Sequence, residues 1–342
     1  MNISKHPAKV SKLYIIKLSL PIFFSNLAIP MVGIVDTGLM GHLSDQKFLA
    51  AVSISTAVIT MIYWSFGFLR MGTVGLVAQA LGRGDYREIV LTTLRNLIIA
   101  VLIGFTIIAL QNYIISLIEK FFETSEGLQI LIDKYVSVRV FSAPAELIIY
   151  VLTGLFLGLQ KTRISSFLVI FFCVTNIIFS AFFVLNLNLD IYGVALGTVV
   201  SAYLTIIIFL TYTFFYIKKR FNIIPRFSRL LVRKKIFRLL NINFNILIRT
   251  ILLTFSFLWV TYQGSKLGEE FVAINAILIQ FIALASFFLD AYAFSTEGIV
   301  GFTIGRRSRK SFLMAVSNAY KLSFLTGLFI SIFYLIFYKT II

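Results

Sequence analysis

Ile164-Ser-Ser-Phe-Leu-Val-Ile-Phe-Phe-Cys-Val-Thr-Asn-Ile-Ile-Phe-Ser-Ala-Phe-Phe-Val-Leu-Asn-Leu187 runs without a single charged side chain. A helix needs about 20 mostly apolar residues to cross the hydrocarbon of a bilayer. The stretch reads as a membrane span, and eight more segments qualify: roughly 18–40, 49–69, 96–118, 135–158, 193–217, 243–262, 272–298 and 318–338. Composition agrees. The 342 residues are 59% hydrophobic and 13% charged, with mean hydropathy +0.95, against about 45–50% and about 25% in soluble globular chains. Too few charges remain to coat a water-facing surface, which excludes a disordered chain, a disulfide framework and a water-soluble nucleic-acid binder. The expected fold class is an all-α polytopic membrane protein of nine transmembrane helices, with the lipid bilayer as partner.

The net charge of +17 fits this picture, because the Lys and Arg side chains sit in the short gaps between apolar runs. With the N-terminus inside, 24 of the 31 Lys and Arg fall on the inner side and 6 on the outer, while Arg249 lies within a helix. That asymmetry predicts a cytoplasmic N-terminus. Residues 1–17 carry four lysines and no small-residue cleavage pattern, so no removable signal peptide is expected. Cys173 stands alone inside an apolar run, and His6 and His42 lie far apart at segment edges. Cysteine and histidine spacing therefore offers no metal site, and no Walker-type string or Ser/His/Asp set points to an enzyme. Arg83-Gly84-Asp85 reads as a loop turn.

Sliding the chain along itself until Gly75 meets Gly298 lays Gly75-Leu-Val-Ala-Gln-Ala-Leu-Gly-Arg83 on Gly298-Ile-Val-Gly-Phe-Thr-Ile-Gly-Arg306. The same shift lays Ala50 on Ala273 and Thr73 on Thr296. Transporters are often built from such repeats, with the substrate site near their interface. The first unit, residues 1–217, holds six helices. A basic cytoplasmic linker at 218–240 leads to residues 241–342, a partial second unit of three helices, so three helices are expected to be missing.

Pro21-Ile-Phe-Phe-Ser-Asn26, Val35-Asp-Thr-Gly-Leu-Met-Gly-His-Leu43, Tyr63-Trp-Ser-Phe-Gly-Phe-Leu-Arg-Met-Gly-Thr73 and Ala78-Gln-Ala-Leu-Gly-Arg-Gly-Asp85 resemble the multidrug and toxic compound extrusion (MATE) family, most closely its DinF-type branch. The resemblance continues through Gly158-Leu-Gln-Lys-Thr162, Ile248-Arg-Thr250, Gln263-Gly264 and Leu289-Asp-Ala-Tyr-Ala-Phe-Ser-Thr-Glu297. It implies a two-lobe bundle, usually of twelve helices, that expels amphipathic, often cationic compounds in exchange for protons or sodium. It also implies no cofactor beyond that ion gradient, and residence in the inner membrane of a bacterium.

An ionisable residue inside a membrane is a functional candidate by default. Asp36 lies about 27 Å along the first span at 1.5 Å per residue, with Gly33, Thr37 and Met40 on its face. A carboxyl group there can alternate between holding a proton and holding a cation, and the resemblance makes it the lobe's essential acid. The plainer reading is an aspartate solvated by headgroups. Asn176 and Ser180, one turn apart, fall where the family often has Asn-x-x-x-Asp. The serine is a departure, since a hydroxyl does not titrate usefully. The resemblance adds Thr198 and Tyr135 to this polar cluster. Tyr135, Arg139, Ser142 and Glu146 share one helical face by spacing, so Glu146 is a candidate second acid; the plainer reading is a polar stripe with Glu146 permanently neutral. Asp290, on a face shared with Glu297, is a candidate for a second-lobe site, whereas Arg249 and Glu297 near the inner boundary read as structural. Pro21 and Pro30 permit the first helix to bend.

Three functions follow. The first is a secondary antiporter exporting cationic small molecules. The second is a lipid or lipid-linked precursor flippase of the same superfamily, for which a more cationic cavity is expected. The third is a transport-incompetent fragment, or half of a split transporter whose missing helices come from a separate chain.

Overall fold

The computed structural model describes residues 10–41, 46–122, 125–221, 230, 232–267 and 269–341. His6, His42 and, within the 218–240 linker, residues 222–229 and 231 lie outside the described residues, while the linker's two ends are helical, up to Phe221 and from Arg233. Twelve α-helices follow one another: α1 (Lys12–Gly41), α2 (Gln46–Ser65), α3 (Phe68–Arg83), α4 (Tyr86–Ala109), α5 (Gln111–Phe122), α6 (Glu126–Arg139), α7 (Ala143–Gly158), α8 (Thr162–Ala181), α9 (Asp190–Phe221), α10 (Arg233–Leu267), α11 (Glu269–Gly305) and α12 (Arg309–Ile341). No strand occurs among the described residues. Two helix pairs are nearly continuous and the 12-residue α5 is too short to span, so nine segments of these residues are long and apolar enough to cross a membrane. In lipid the backbone must satisfy its own hydrogen bonds, which is why the spans are helices.

Several spans start and stop differently from the hydropathy reading. The second continues through α3 to Arg83 after a tight turn at Phe66-Gly67, and the third is Tyr86–Ala109 rather than 96–118. Windows of hydropathy discount charged turns, but these charges are paired inside the helices. Arg95, assigned to a loop from the sequence, is buried in α4, where it donates to Glu88 (3.1 Å) and to the Leu230 carbonyl (2.9 Å). Lys235 reaches the same Glu88 carboxylate at 3.3 Å. Arg70, likewise assigned to a loop, lies in α3 with its guanidinium 3.7 Å from the centre of the Phe294 ring and 4.0 Å from Glu297. After α4, the amphipathic α5 buries Ile114, Ile115 and Ile118 and exposes Tyr113, Leu117 and Phe121.

At the centre of the first bundle stands α7, packed against α3, α4, α8 and α9. Every residue of α7 except Glu146 and Tyr150 is buried. Its entry is a short 3-10 turn, Val140–Ser142, followed by Pro144, whose missing N–H is harmless in a first turn. A Cβ on Gly104 of α4 would fall 2.5 Å from the Pro144 Cα, so only glycine lets α4 close on this bend.

The two glycine strings of the repeat meet one another, because α3 and α11 pack face to face. A Cβ on Gly82 would strike the Phe302 carbonyl, and one on Gly305 would strike the Gln79 carbonyl; Phe302 is the shifted counterpart of Gln79, so the contact is reciprocal. A Cβ on Gly301 would lie 2.7 Å from that of its own counterpart, Ala78. The turns beyond repeat as well. Gly84 (φ 73°) and Arg307 (φ 56°) both take the left-handed conformation that closes a helix. Asp85 N donates to the Ala80 carbonyl (2.9 Å), as Ser308 N does to that of Thr303 (3.1 Å). Asp85 and Ser308 then cap the next helices, accepting from Glu88 N and Ser311 N. Arg95 and its counterpart Asn318 each hold a carbonyl near the start of the opposite bundle's first helix: Leu230 before α10, and Val10 before α1 (2.7 Å).

Further contacts tie α1 to α11: Ser19 Oγ to Ser295 Oγ at 2.8 Å, Asn26 Nδ2 to the Phe287 carbonyl at 3.3 Å, and the Phe23 and Phe288 rings at 4.6 Å. Beyond them α1 loosens. From Leu27 to Gly38 none of its residues is buried, and a Cβ on Gly33 or Gly38 would meet nothing within 4 Å. The end of the junction carrying Gly82 and Gly305 is closely packed, and the outer end of α1 is held again by the buried Leu39 and Met40.

Two outcomes test this packing. Gly82→Ala and Gly305→Ala should each lower the melting temperature in detergent, by about 1–3 kcal/mol of overpacking strain, whereas Gly75→Ala, with open space around it, should be neutral or stabilising. Arg95→Met should destabilise by about 1–3 kcal/mol, since the half-buried Glu88 loses its nearest cation and keeps only Lys235. Asn318→Ala should cost about 1 kcal/mol for one hydrogen bond.

Candidate functional site

Helices α1, α2, α6, α7, α8 and α9 bring one polar cluster into the otherwise apolar interior of the first bundle. Asn176 and Ser180 face inward from α8 and are buried, as is Thr198 on α9. Asn176 Nδ2 donates to Thr198 Oγ1 at 2.9 Å. Glycine makes the approach possible: a Cβ on Gly197 would stand 2.6 Å from both the backbone N and the Oγ of Ser180. Asp36 of α1 faces this pair, with Ser180 beside its carboxyl group. Asp36 Oδ1 and Asn176 Oδ1 are buried without a hydrogen-bond partner among the described residues, and the Ser180 hydroxyl has only the Asp36 carboxyl group beside it. Buried polar atoms are nearly always partnered, so a proton, a cation or water would complete this group.

Tyr135 of α6 is 2% exposed, and its hydroxyl lies 3.0 Å from Thr56 Oγ1 of α2. One turn on, Arg139 is buried instead of standing in an outer loop, where the charge count places it. Arg139 Nη1 donates to Glu146 Oε1 at 2.5 Å and also to Ser142 Oγ. Ser142 Oγ lies 2.8 Å from both Glu146 Oε1 and the Arg139 carbonyl, so its single proton serves one acceptor at a time. Tyr63 of α2 closes the group, with its hydroxyl 3.4 Å from Ser142 Oγ and its ring centre 5.4 Å from the Arg139 guanidinium. The structure thus brings together Asp36, Asn176, Ser180, Thr198, Tyr135, Arg139 and Glu146, all singled out in the sequence. Tyr63 and Thr56 were missed. Tyr63 lies inside a quoted family string, but neither residue carries a spacing signal that names its partner on another helix.

The second-bundle candidates fall elsewhere. Asp290 is half-buried on α11, and Glu297 lies two turns further along, where Arg70 of α3 approaches it at 4.0 Å. Arg249 of α10 also acts on both carboxylates. Two acids and two guanidinium groups therefore share the junction between the bundles. Among the described residues, no three His, Cys, Asp or Glu side chains gather as a metal-binding group.

The comparisons with known proteins agree with this architecture. Residues 21–182 match the family model described as MatE. DNA damage-inducible protein F of Escherichia coli is 31% identical over 319 residues, covering 93% of this chain and 69% of that protein. Multidrug resistance protein NorM of Vibrio cholerae is 24% identical over 317 residues, covering 91% of this chain and 69% of that protein. A solved structure of a multidrug resistance MATE family transporter of the MOP superfamily, in an outward-facing conformation, superposes with a TM-score of 0.85 at 20% identity over 94% of this chain and 71% of that one. An all-α, multi-span membrane architecture, the quoted motifs and the identity shared with the Escherichia coli protein lead to one conclusion: the chain belongs to the MATE family of membrane transporters.

Proposed function

We propose that the protein is a secondary active antiporter of a bacterial inner membrane, exporting amphipathic cationic small molecules in exchange for protons taken up at Asp36. The observation that carries this reading is the Asp36 carboxyl group itself. It sits in a membrane-spanning bundle beside the polar side chains of Asn176 and Ser180, with one of its own oxygens buried and without a hydrogen bond among the described residues. An acid so placed can hold a proton or attract a cation, but a proton cancels the charge that attracts the cation. That mutual exclusion is what an exchanger needs. Coupling then requires the protonated and deprotonated forms to favour different arrangements of the bundles, since a ligand shifts an equilibrium only by its differential affinity. Pro21 and Pro30 of α1 supply places where that helix can bend.

The other members have supporting roles. Asn176 and Thr198 fix the α8–α9 wall through their hydrogen bond, and Tyr135, held by Thr56, forms the floor. Ser180, where the family often has a second aspartate, leaves Asp36 as the single exchangeable acid of the cluster, with Glu146 committed to Arg139. Asp290 is a second-bundle acid balanced by Arg70 and Arg249. A flippase for anionic lipid precursors is less well supported, because Asp36 brings an acid to the polar cluster and Arg139 is already paired with Glu146. Nothing beyond a proton gradient is needed to energise the cycle.

The test is uptake of a fluorescent cationic dye into proteoliposomes driven by a pH gradient. The unmutated protein should transport, and Asp36→Asn, which keeps the shape but cannot exchange a proton, should abolish uptake while leaving the melting temperature within a few degrees. Full activity in Asp36→Asn, or no transport by the folded unmutated protein, would refute the reading.

A further inference from the structure

Where α3 ends and α4 and α10 begin, side chains of the three helices surround a hollow. Arg83 of α3, Glu88 and Arg95 of α4, and Lys235 and Arg238 of α10 line it, four cations against one carboxylate. Glu88 serves two of them, Arg95 at 3.1 Å and Lys235 at 3.3 Å. Arg238 Nη2 reaches the neutral Gln79 Oε1 at 3.4 Å, and Arg83 belongs to no ion pair among the described residues. Asp85, the other acid of this turn, is committed to the start of α4, where it accepts from Glu88 N at 3.0 Å. The hollow lies on the side that the Lys and Arg count assigns to the cytoplasm.

The internal repeat shows what the packing itself needs at this place. The shifted counterparts of Leu76, Arg83 and Glu88 are Ile299, Arg306 and Ser311, and these three line a second hollow, against α1. Arg306 is the one charged side chain among the described residues that line this second copy. Asn318 holds the Val10 carbonyl there as Arg95 holds that of Leu230, and the counterpart of Arg238 is the buried Ile15. One copy thus closes with mostly neutral side chains, so the packing does not require the cations of the other. Orientation in the membrane does not require them either. Basic residues anywhere on this side would serve it, whereas four around one hollow repel one another.

We propose that the charged hollow binds the phosphate headgroup of an anionic phospholipid, with Arg83, Lys235 and Arg238 as its donors. Guanidinium forks match phosphate oxygens, and the ammonium group adds a point charge. Helices α4 and α10 both pack on α3 but barely on each other, so a headgroup can approach from the bilayer between them. Deeper along these helices, the exposed Ile98 and Leu102 of α4 and Leu240 and Phe244 of α10 offer apolar surface to its acyl chains. Basic pockets between spans on the cytoplasmic side suit such headgroups. A lipid held by α3 and α10 joins one bundle to the other, and its site is independent of Asp36 and of the compound transported.

The experiment therefore needs no transport. Purified protein is melted in detergent containing equal amounts of either phosphatidylglycerol or zwitterionic phosphatidylcholine. Phosphatidylglycerol should raise the melting temperature by at least about 2 °C over phosphatidylcholine, since a ligand of the folded state stabilises it. Arg83→Gln combined with Arg238→Gln should melt like the unmutated protein in phosphatidylcholine and lose the phosphatidylglycerol shift. Lys12→Gln combined with Arg306→Gln, at the counterparts of Lys235 and Arg83, removes the same charge and should keep the shift. Equal loss in both would show general attraction to an anionic surface and overturn the proposal, as would equal melting of the unmutated protein in the two lipids. Inorganic phosphate at matched ionic strength should leave melting unchanged; a full shift from phosphate alone would identify a soluble anion and overturn the lipid assignment. Should the first double variant fail to fold, lipid retention by the unmutated protein decides. After loading with an equal mixture and washing in detergent, it should keep phosphatidylglycerol in preference to phosphatidylcholine, and equal retention would overturn the proposal.

Discussion

Lipid gives a charged side chain no partner, so each buried charge in this protein has to bring its own. The first bundle depends on that constraint. Glu88 is shared by Arg95 and Lys235, Arg139 is answered by Glu146, and Arg70 reaches across to Glu297. These pairs decide which helices can begin in charged turns, and they fix the depth at which α3, α4 and α7 sit. Asp36 differs in kind: it belongs to none of the ion pairs among the described residues, and one of its carboxylate oxygens is buried without a hydrogen bond.

The same constraint governs the junction between bundles. Apolar side chains gain little by leaving lipid for one another, so close contact depends on small residues that let backbones approach. Gly82, Gly301 and Gly305 provide this between α3 and α11, and Gly154 and Gly158 provide it between α7 and α3, where a Cβ would lie 2.6 Å from the Arg70 carbonyl or 2.9 Å from that of Val74. Tight packing at this end of the junction contrasts with the outer half of α1, where no residue from Leu27 to Gly38 is buried.

Much of this was legible in the amino-acid order. The number of spans follows from apolar runs, and the glycine strings announced the repeat whose halves turn out to touch. The Tyr135-Arg139-Ser142-Glu146 face was readable because one helical periodicity survives the short turn at Val140–Ser142. What the order did not disclose was partnership between distant segments. Arg95 looked like a loop charge because Leu230, which receives its hydrogen bond, lies beyond α9 in the chain. Arg70 looked the same because Phe294 and Glu297 belong to the other bundle. Tyr63 and Thr56 have no periodic neighbours of their own kind, so only the packing of α2 against α6 reveals their roles. The start of the third span was hidden because hydropathy treats Arg87, Glu88 and Arg95 as solvent-seeking, although a neutralised pair can enter the membrane.

The reciprocal meeting of the two glycine strings is the contact that two identical subunits make around a two-fold axis, where residue i touches j and j touches i. One polypeptide thus contains what is in geometry a homodimer interface. Covalent linkage releases the two copies from staying alike. The contact itself has been kept, whereas the chemistry around it has separated: Gly84 stands opposite Arg307, Glu88 opposite Ser311 and Arg95 opposite Asn318. In a true dimer every charge would appear twice. Here Glu88 and Arg95 occur in one copy only, so the molecule has a front and a back that symmetry would have forbidden.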